Sequence, residues 1–211
     1  MMKLFSYFKS SAAYRLRIAL NIKGIEHEEV EIDLFRADGG EQHSPDYAAK
    51  NPLKLVPALE TDGVVLAGSM AVLEFLEERY PEPPLLPRSQ VARAQVRAIA
   101  NAVVGDLHPL TTIRVTKQLQ SQFGADPEAV QRWIAHWIQT GFGAVEQMIE
   151  DDGHCYGGIT TLADVCLVPQ VVTARRLGID LSGFPRVCKV ADVCGSLPAF
   201  ARAHPSTYPF N

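Results

Sequence analysis

The stretch Lys9-Ser10-Ser11-Ala12-Ala13-Tyr14-Arg15-Leu16-Arg17 sets two serine hydroxyls among three cations, where an apolar run passes into a helical pattern. Free backbone N–H groups and the helix dipole make such a junction favourable to anions. A thiolate is one such anion, since a free thiol pKa of about 8.5 falls near helix N-termini and cations. No cysteine occupies the segment: Cys155, Cys166, Cys188 and Cys194 all lie in the last third of the chain. A thiolate working at Ser10 and Ser11 therefore arrives with a ligand. The competing structural role for Ser10 is a helix cap.

Farther along, Asp106-Leu107-His108-Pro109-Leu110-Thr111-Thr112-Ile113-Arg114 sets a histidine and an arginine in one short segment, where a lone histidine is more often structural or merely exposed. Arg175-Arg176 supplies a second cationic point, where a guanidinium fork can grip a carboxylate or complement a helix C-terminus. Thr161-Leu162-Ala163-Asp164 has the form of a helix-start capping motif, which assigns Asp164 to folding. The six histidines show no metal-ligand spacing, so no metal site is expected.

The elements that must position these groups follow from periodicity. Lys3 to Phe8 is predicted as a buried strand, and Ala12 to Lys23 as a helix with Leu16, Ala19, Leu20 and Ile22 inward. In that pattern Arg15, Arg17 and Lys23 face away from the core, and Gly24 ends the helix. Glu28 to Leu34 alternates as a half-buried strand, and a short helix is expected near Asp46 to Lys50. Val56 to Glu60 and Val64 to Ala67 flank Thr61-Asp62-Gly63 as a hairpin. Ser69 then opens a helix with Met70, Leu73 and Leu76 inward and Glu74, Glu77 and Glu78 outward. Four prolines between Pro81 and Pro87 interrupt the pattern. Beyond them the sequence is almost wholly helical, with Asp126-Pro127 as a start signal and an apolar stripe from Val130 to Ile149. The expected organisation is an α/β domain over 1–80, a linker over 81–89 and an all-α domain over 90–211.

The chain has 211 residues, 47% hydrophobic and 21% charged, with a net charge of −4. That composition excludes a disordered or collagen-like chain and gives no electrostatic reason to expect nucleic acid or an anionic membrane. No apolar run is long enough to span a bilayer, no secretory leader is evident, and four cysteines without a CxxC pair are too few for a secreted disulfide framework. A cytoplasmic protein is expected.

Ser10-Ser11-x-x-x-Arg15-x-Arg17-Ile18-Ala19-Leu20, followed by Lys23-Gly24-Ile25, resembles the signature of zeta-class glutathione transferases, a family that includes maleylacetoacetate and bacterial maleylpyruvate isomerases. Asn51-Pro52, Val56-Pro57-Ala58-Leu59, Leu73 to Glu78, Leu85-Leu86-Pro87, Gly141-Phe142, Leu162 to Val171 and Asp180-Leu181 extend the likeness along nearly the whole chain. The resemblance implies a thioredoxin-like domain joined to a helical domain, glutathione as a regenerated cofactor, and a homodimer. It implies a reaction in which the thiolate adds to the cis double bond of a maleyl keto acid, the bond rotates, and elimination returns the trans isomer.

The resemblance also implies site roles. Ser10 is the candidate hydrogen-bond donor to the thiolate, with Ser11 second and Arg15 a nearby electrostatic contributor. Gln42, Val56, a cis Pro57, Ser69, His108, Thr112 and Arg114 are candidates for holding glutathione. Lys9 and Arg176 are candidates for the dicarboxylate substrate. Ala12 stands where the family usually has Cys, Lys9 where it has Arg, and Gly68-Ser69 where it has Gln-Ser. The last departure predicts weaker glutathione binding. Two other activities suit the same motifs: conjugation or dehalogenation of small α-halo acids, and a non-catalytic binding module.

Overall fold

The computed structural model describes residues 1–37 and 39–208. The chain divides into two compact units, Met1–Leu85 with Ser196–Asn211, and Leu86–Gly195.

In the first unit, β1 (Met2–Ser6) leads into α1 (Ser11–Lys23), and β2 (His27–Glu31) returns parallel to β1. A 3-10 turn (Glu41–His43) and α2 (Pro45–Lys50) precede the hairpin of β3 (Ala58–Thr61) and β4 (Val64–Ala67), and α3 (Ser69–Arg79) closes the run. The sheet order is β2-β1-β3-β4, with β3 antiparallel to both β1 and β4. This is the mixed four-stranded sheet expected of a thioredoxin-like domain. Asp62 and Gly63 both take positive φ (49° and 79°), the geometry a two-residue hairpin requires. Gly24 caps α1 in the left-handed conformation (φ 64°), as its position predicts.

Four side chains expected to face outward are buried instead. Arg15 is 0% and Arg17 1% exposed, because α1 is covered on more than one side and every residue from Ser11 to Leu20 is buried. The Lys23 side chain is fully covered and meets Glu77, also expected outward but 6% exposed, at 2.9 Å. Val72, not Met70, joins Leu73 and Leu76 in the core face of α3.

The C-terminal segment departs from the expected domain plan. The short helix Pro198–Ala203 belongs with the first unit, not the helical one. Polar groups on α1 hold it: Tyr14 Oη donates to the Phe200 carbonyl, Arg17 Nε to that of Ala203, and Asn21 Nδ2 to that of Ala199. The unit boundary at Leu85 and Leu86 falls inside the proline-rich stretch, where both leucines are buried.

The second unit is helical. α4 (Gln90–Asn101) runs through a π-helical turn (Ala102–Leu107) into α5 (His108–Leu110), followed by α6 (Ile113–Phe123), α7 (Pro127–Met148), α8 (Leu162–Arg176) and α9 (Pro185–Gly195). Its centre is α8, whose residues Leu162 to Val171 are all buried. Asp126 caps α7 by accepting the Ala129 N–H at 2.7 Å. Gly141 lets α7 pass the π turn: a Cβ there would lie 2.4 Å from Leu107.

Candidate active site

Ser10 ends the loop after β1 and is the N-cap of α1, with its Oγ accepting the Ala13 N–H at 3.2 Å. Capping engages only a lone pair, so the hydroxyl proton remains available to donate. The cap and the thiolate donor are therefore compatible in one side chain. Ser11 follows as the first helical residue and is 7% exposed. The Ser10 loop is fastened from beneath by Arg17, whose Nη2 donates to the Phe8 carbonyl at 2.9 Å. The same guanidinium reaches Ser6 Oγ (3.0 Å) and Glu29 Oε1 (3.3 Å) and lies 4.5 Å from the Tyr208 ring centre. Sequence reasoning passed over Arg17, because a helical wheel assigns arginine to solvent unless its partners are known.

Arg15 is brought to Ser69, with Nη1 donating to Ser69 Oγ at 3.2 Å across the buried face between α1 and α3. Ser69 is not the cap of α3; Gly68 holds that position with φ 88° and ψ 124°. The Ser69 hydroxyl is thus free of capping duty, and its own proton can be donated. Val56–Pro57 is cis, immediately ahead of β3, as the family motif implies, and Glu82–Pro83 is a second cis bond that the sequence did not signal. Gln42 lies in the 3-10 turn with its Oε1 buried and without a hydrogen-bond partner. Lys9 is exposed, its Nζ 4.9 Å from the Phe8 ring centre.

The remaining candidates belong to the helical unit. His108 is half-buried on α5, and its Nδ1 lies 3.2 Å from Oε1 of Gln170, a residue that sequence reasoning left without a role. Thr112 is the N-cap residue of α6 and donates to the Pro109 carbonyl. Arg114 lines a hollow of about 420 Å³ with Leu119, Phe123 and Trp133. Arg176 is exposed at the end of α8.

Asp164 completes a capping box, accepting from the Thr161 N–H (2.7 Å), Thr161 Oγ1 (2.8 Å) and the Cys155 N–H (2.7 Å). Burial beside that carboxylate pushes the Cys155 and Cys194 thiols well above the ordinary thiol range. Neither is poised as a nucleophile. Among the described residues no three His, Cys, Asp or Glu side chains cluster as metal ligands, and no helix is long and apolar enough to cross a membrane.

The model of the glutathione S-transferase N-terminal domain matches residues 4–84. Maleylacetoacetate isomerase of Pseudomonas aeruginosa is 46% identical over 209 residues, 99% of this chain and 98% of its own. The chain belongs to the maleylacetoacetate and maleylpyruvate isomerase family of zeta-class glutathione transferases. A holo maleylpyruvate isomerase structure of that class superposes with a TM-score of 0.94 at 41% identity, covering 99% of each chain. Maleylacetoacetate isomerase from Methylobacterium extorquens, solved with malonate and glutathione, gives 0.93 at 39% identity over 98% of each.

The donor set of the first unit fits glutathione, the group this family binds. Ser10 and Ser11 at the α1 terminus suit a sulfur anion. The buried, partnerless Gln42 oxygen needs an N–H that no described residue provides, and a peptide ligand has N–H groups to give.

Proposed function

We propose that this chain is a glutathione-dependent cis–trans isomerase of maleyl keto acids, converting maleylacetoacetate or maleylpyruvate to the fumaryl isomer. Bound glutathione supplies a thiolate that adds to and leaves the substrate double bond. Ser10 donates to that sulfur while capping α1, and Ser11 and the first-turn N–H groups of α1 add to the anion's stabilisation. Arg15 orients Ser69, which takes a glutathione carboxylate, and Gln42 and the Val56–Pro57 turn hold the peptide. His108, Thr112 and Arg114 take further glutathione contacts. Lys9 and Arg176 carry the charges for a dicarboxylate substrate. A homodimer and a cytoplasmic setting belong to the same proposal. The observation that carries it is Ser10, which caps a buried helix with one lone pair and keeps a proton to donate, in a chain 46% identical to a maleylacetoacetate isomerase over nearly its full length.

The test follows loss of the cis isomer of each acid with and without glutathione. Turnover with glutathione unconsumed is the expected result. Consumption of glutathione with an α-halo acid, and no isomerisation, would replace this reading by conjugation or dehalogenation. Ser10→Ala is expected to lower kcat/KM about a hundredfold, as loss of one donor to a reacting anion does elsewhere. Ser10→Thr, which keeps hydroxyl and cap, should recover most of it.

A further inference from the structure

His108 and Gln170 form a pair inside the helical unit. Gln170 projects from α8 amid buried Leu167, Val168 and Val171, is itself 1% exposed, and presents Oε1 to His108 Nδ1 at 3.2 Å. A carboxamide oxygen has no hydrogen to give, so this contact forms only when Nδ1 carries the proton. We infer that Gln170 is a positioning residue that keeps the His108 proton on Nδ1, so that Nε2 donates to a carboxylate only while the ring is an imidazolium.

The consequence is a charge gate. A neutral imidazole in water prefers its proton on Nε2, and such a ring goes on donating to an anion after losing its charge. With Nδ1–H committed to Gln170, the neutral ring presents a lone pair at Nε2, which repels a carboxylate. Contact with an anionic ligand is then favourable below the ring's pKa and lost above it. An amide suits this task because it does not titrate, whereas an acidic partner would hold the ring charged. Gln170 Nε2 has no hydrogen-bond partner, which leaves His108 as the polar contact that the buried amide makes among the described residues.

The elements packed against α5 are the π turn and α7, and Gln170 brings α8. On these, Glu128 pairs with Arg132, Glu146 accepts the Arg186 and Val187 N–H groups, Asp164 is engaged in its capping box, and Arg175 pairs with Asp192. Asp106, His136, Arg176 and the buried Cys166 thiol are the other charged or titratable groups on them.

The effect on ligand binding rests on the glutathione reading above; the tautomer does not. Nitrogen NMR of the full-length protein, with the His108 signals identified by their absence from His108→Gln, reads the neutral ring directly. Nδ1–H is expected, and an Nε2–H ring overturns the inference. Folded Gln170→Leu should move the proton to Nε2, and Gln170→Glu should keep the ring charged to higher pH. An unchanged tautomer in folded Gln170→Leu overturns the positioning role, and if both variants fail to fold the wild-type tautomer decides. S-methylglutathione, whose sulfur does not titrate, should bind about tenfold more weakly at pH 8 than at pH 5.5, the scale of a lost charge-assisted hydrogen bond. His108→Gln should flatten that profile, and equal profiles overturn the gate. Absence of binding at every pH refutes the glutathione reading instead.

Discussion

Removing the Glu77 carboxylate should destabilise the first unit far more than removal of a surface acid. The side chain is 6% exposed and meets Lys23 Nζ at 2.9 Å, and both its oxygens accept the Leu85 N–H (3.2 and 3.0 Å). Lys23 Nζ also donates to the Tyr80 (2.6 Å) and Pro83 (3.1 Å) carbonyls, so the pair fastens the end of α3 to the proline-rich stretch. Glu77→Ala leaves a covered ammonium without its counter-charge and a buried N–H without an acceptor. Breaking one side of a buried pair costs about 3–5 kcal/mol, against about 0–1 for an exposed pair. The matched double change, Lys23→Met with Glu77→Leu, removes both charges and should cost clearly less than Glu77→Ala alone. Urea unfolding of wild type, Lys23→Met, Glu77→Leu and the double completes the cycle, with Glu77→Ala measured beside it. A Glu77→Ala loss below about 1 kcal/mol would mean that the pair is hydrated like a surface one, and the reasoning from burial would be wrong.

Three further outcomes are expected. Gly68→Gln should tighten glutathione binding, read by calorimetry, and lower the melting temperature, because φ at this position is 88° although a Cβ placed there would meet no atom within 4 Å; unchanged affinity would remove Gly68 as the cause of weak binding. Burial lifts the Tyr14 phenol to about 12, against the opposing charge of Arg17, so the unfolded chain ionises first and stability should fall from about pH 10 to 12 while staying intact below that window. Tyr14→Phe should flatten the slope in urea unfolding at those pH values. Native protein treated with iodoacetamide at pH 8 should label Cys188, which is half-buried, and spare Cys155 and Cys194, whose thiols burial keeps protonated; mass spectrometry that found those two modified in folded protein would contradict their burial.

Periodicity was enough to read the order of strands and helices, the glycine cap of α1, the Asp62-Gly63 turn and the Asp126 start of α7, because each depends on neighbours within a few residues. It failed for Arg15, Arg17, Lys23 and Glu77. A helical wheel places a charge on the solvent side, but these four find partners 8 to 186 residues away. The same limit explains Gln170: an amide within an apolar helix reads as an ordinary core exception until His108, 62 residues earlier, is seen opposite it. Ser10 was legible as a candidate anion position from its place at a strand–helix junction, whereas the roles proposed for Ser69 and the cis Val56–Pro57 bond were legible only through the family motif. Their geometry then added what the motif lacks, namely that Ser10 caps α1 while Gly68, not Ser69, occupies the cap position of α3.

Because carbonyls at Ala199, Phe200 and Ala203 receive the donors of α1, the unit bearing Ser10 is assembled from segments as much as 186 residues apart. During synthesis, the helix that carries Tyr14 and Arg17 emerges from the ribosome long before its acceptors exist. Those buried donors stay unmatched until the segment around Phe200 has left the exit tunnel. The guanidinium that fastens the Ser10 loop through Phe8 therefore gains its last partner, the Ala203 carbonyl, only late in translation. A chain stopped before Ala199 would have every proposed glutathione contact encoded yet the clasp beneath them missing.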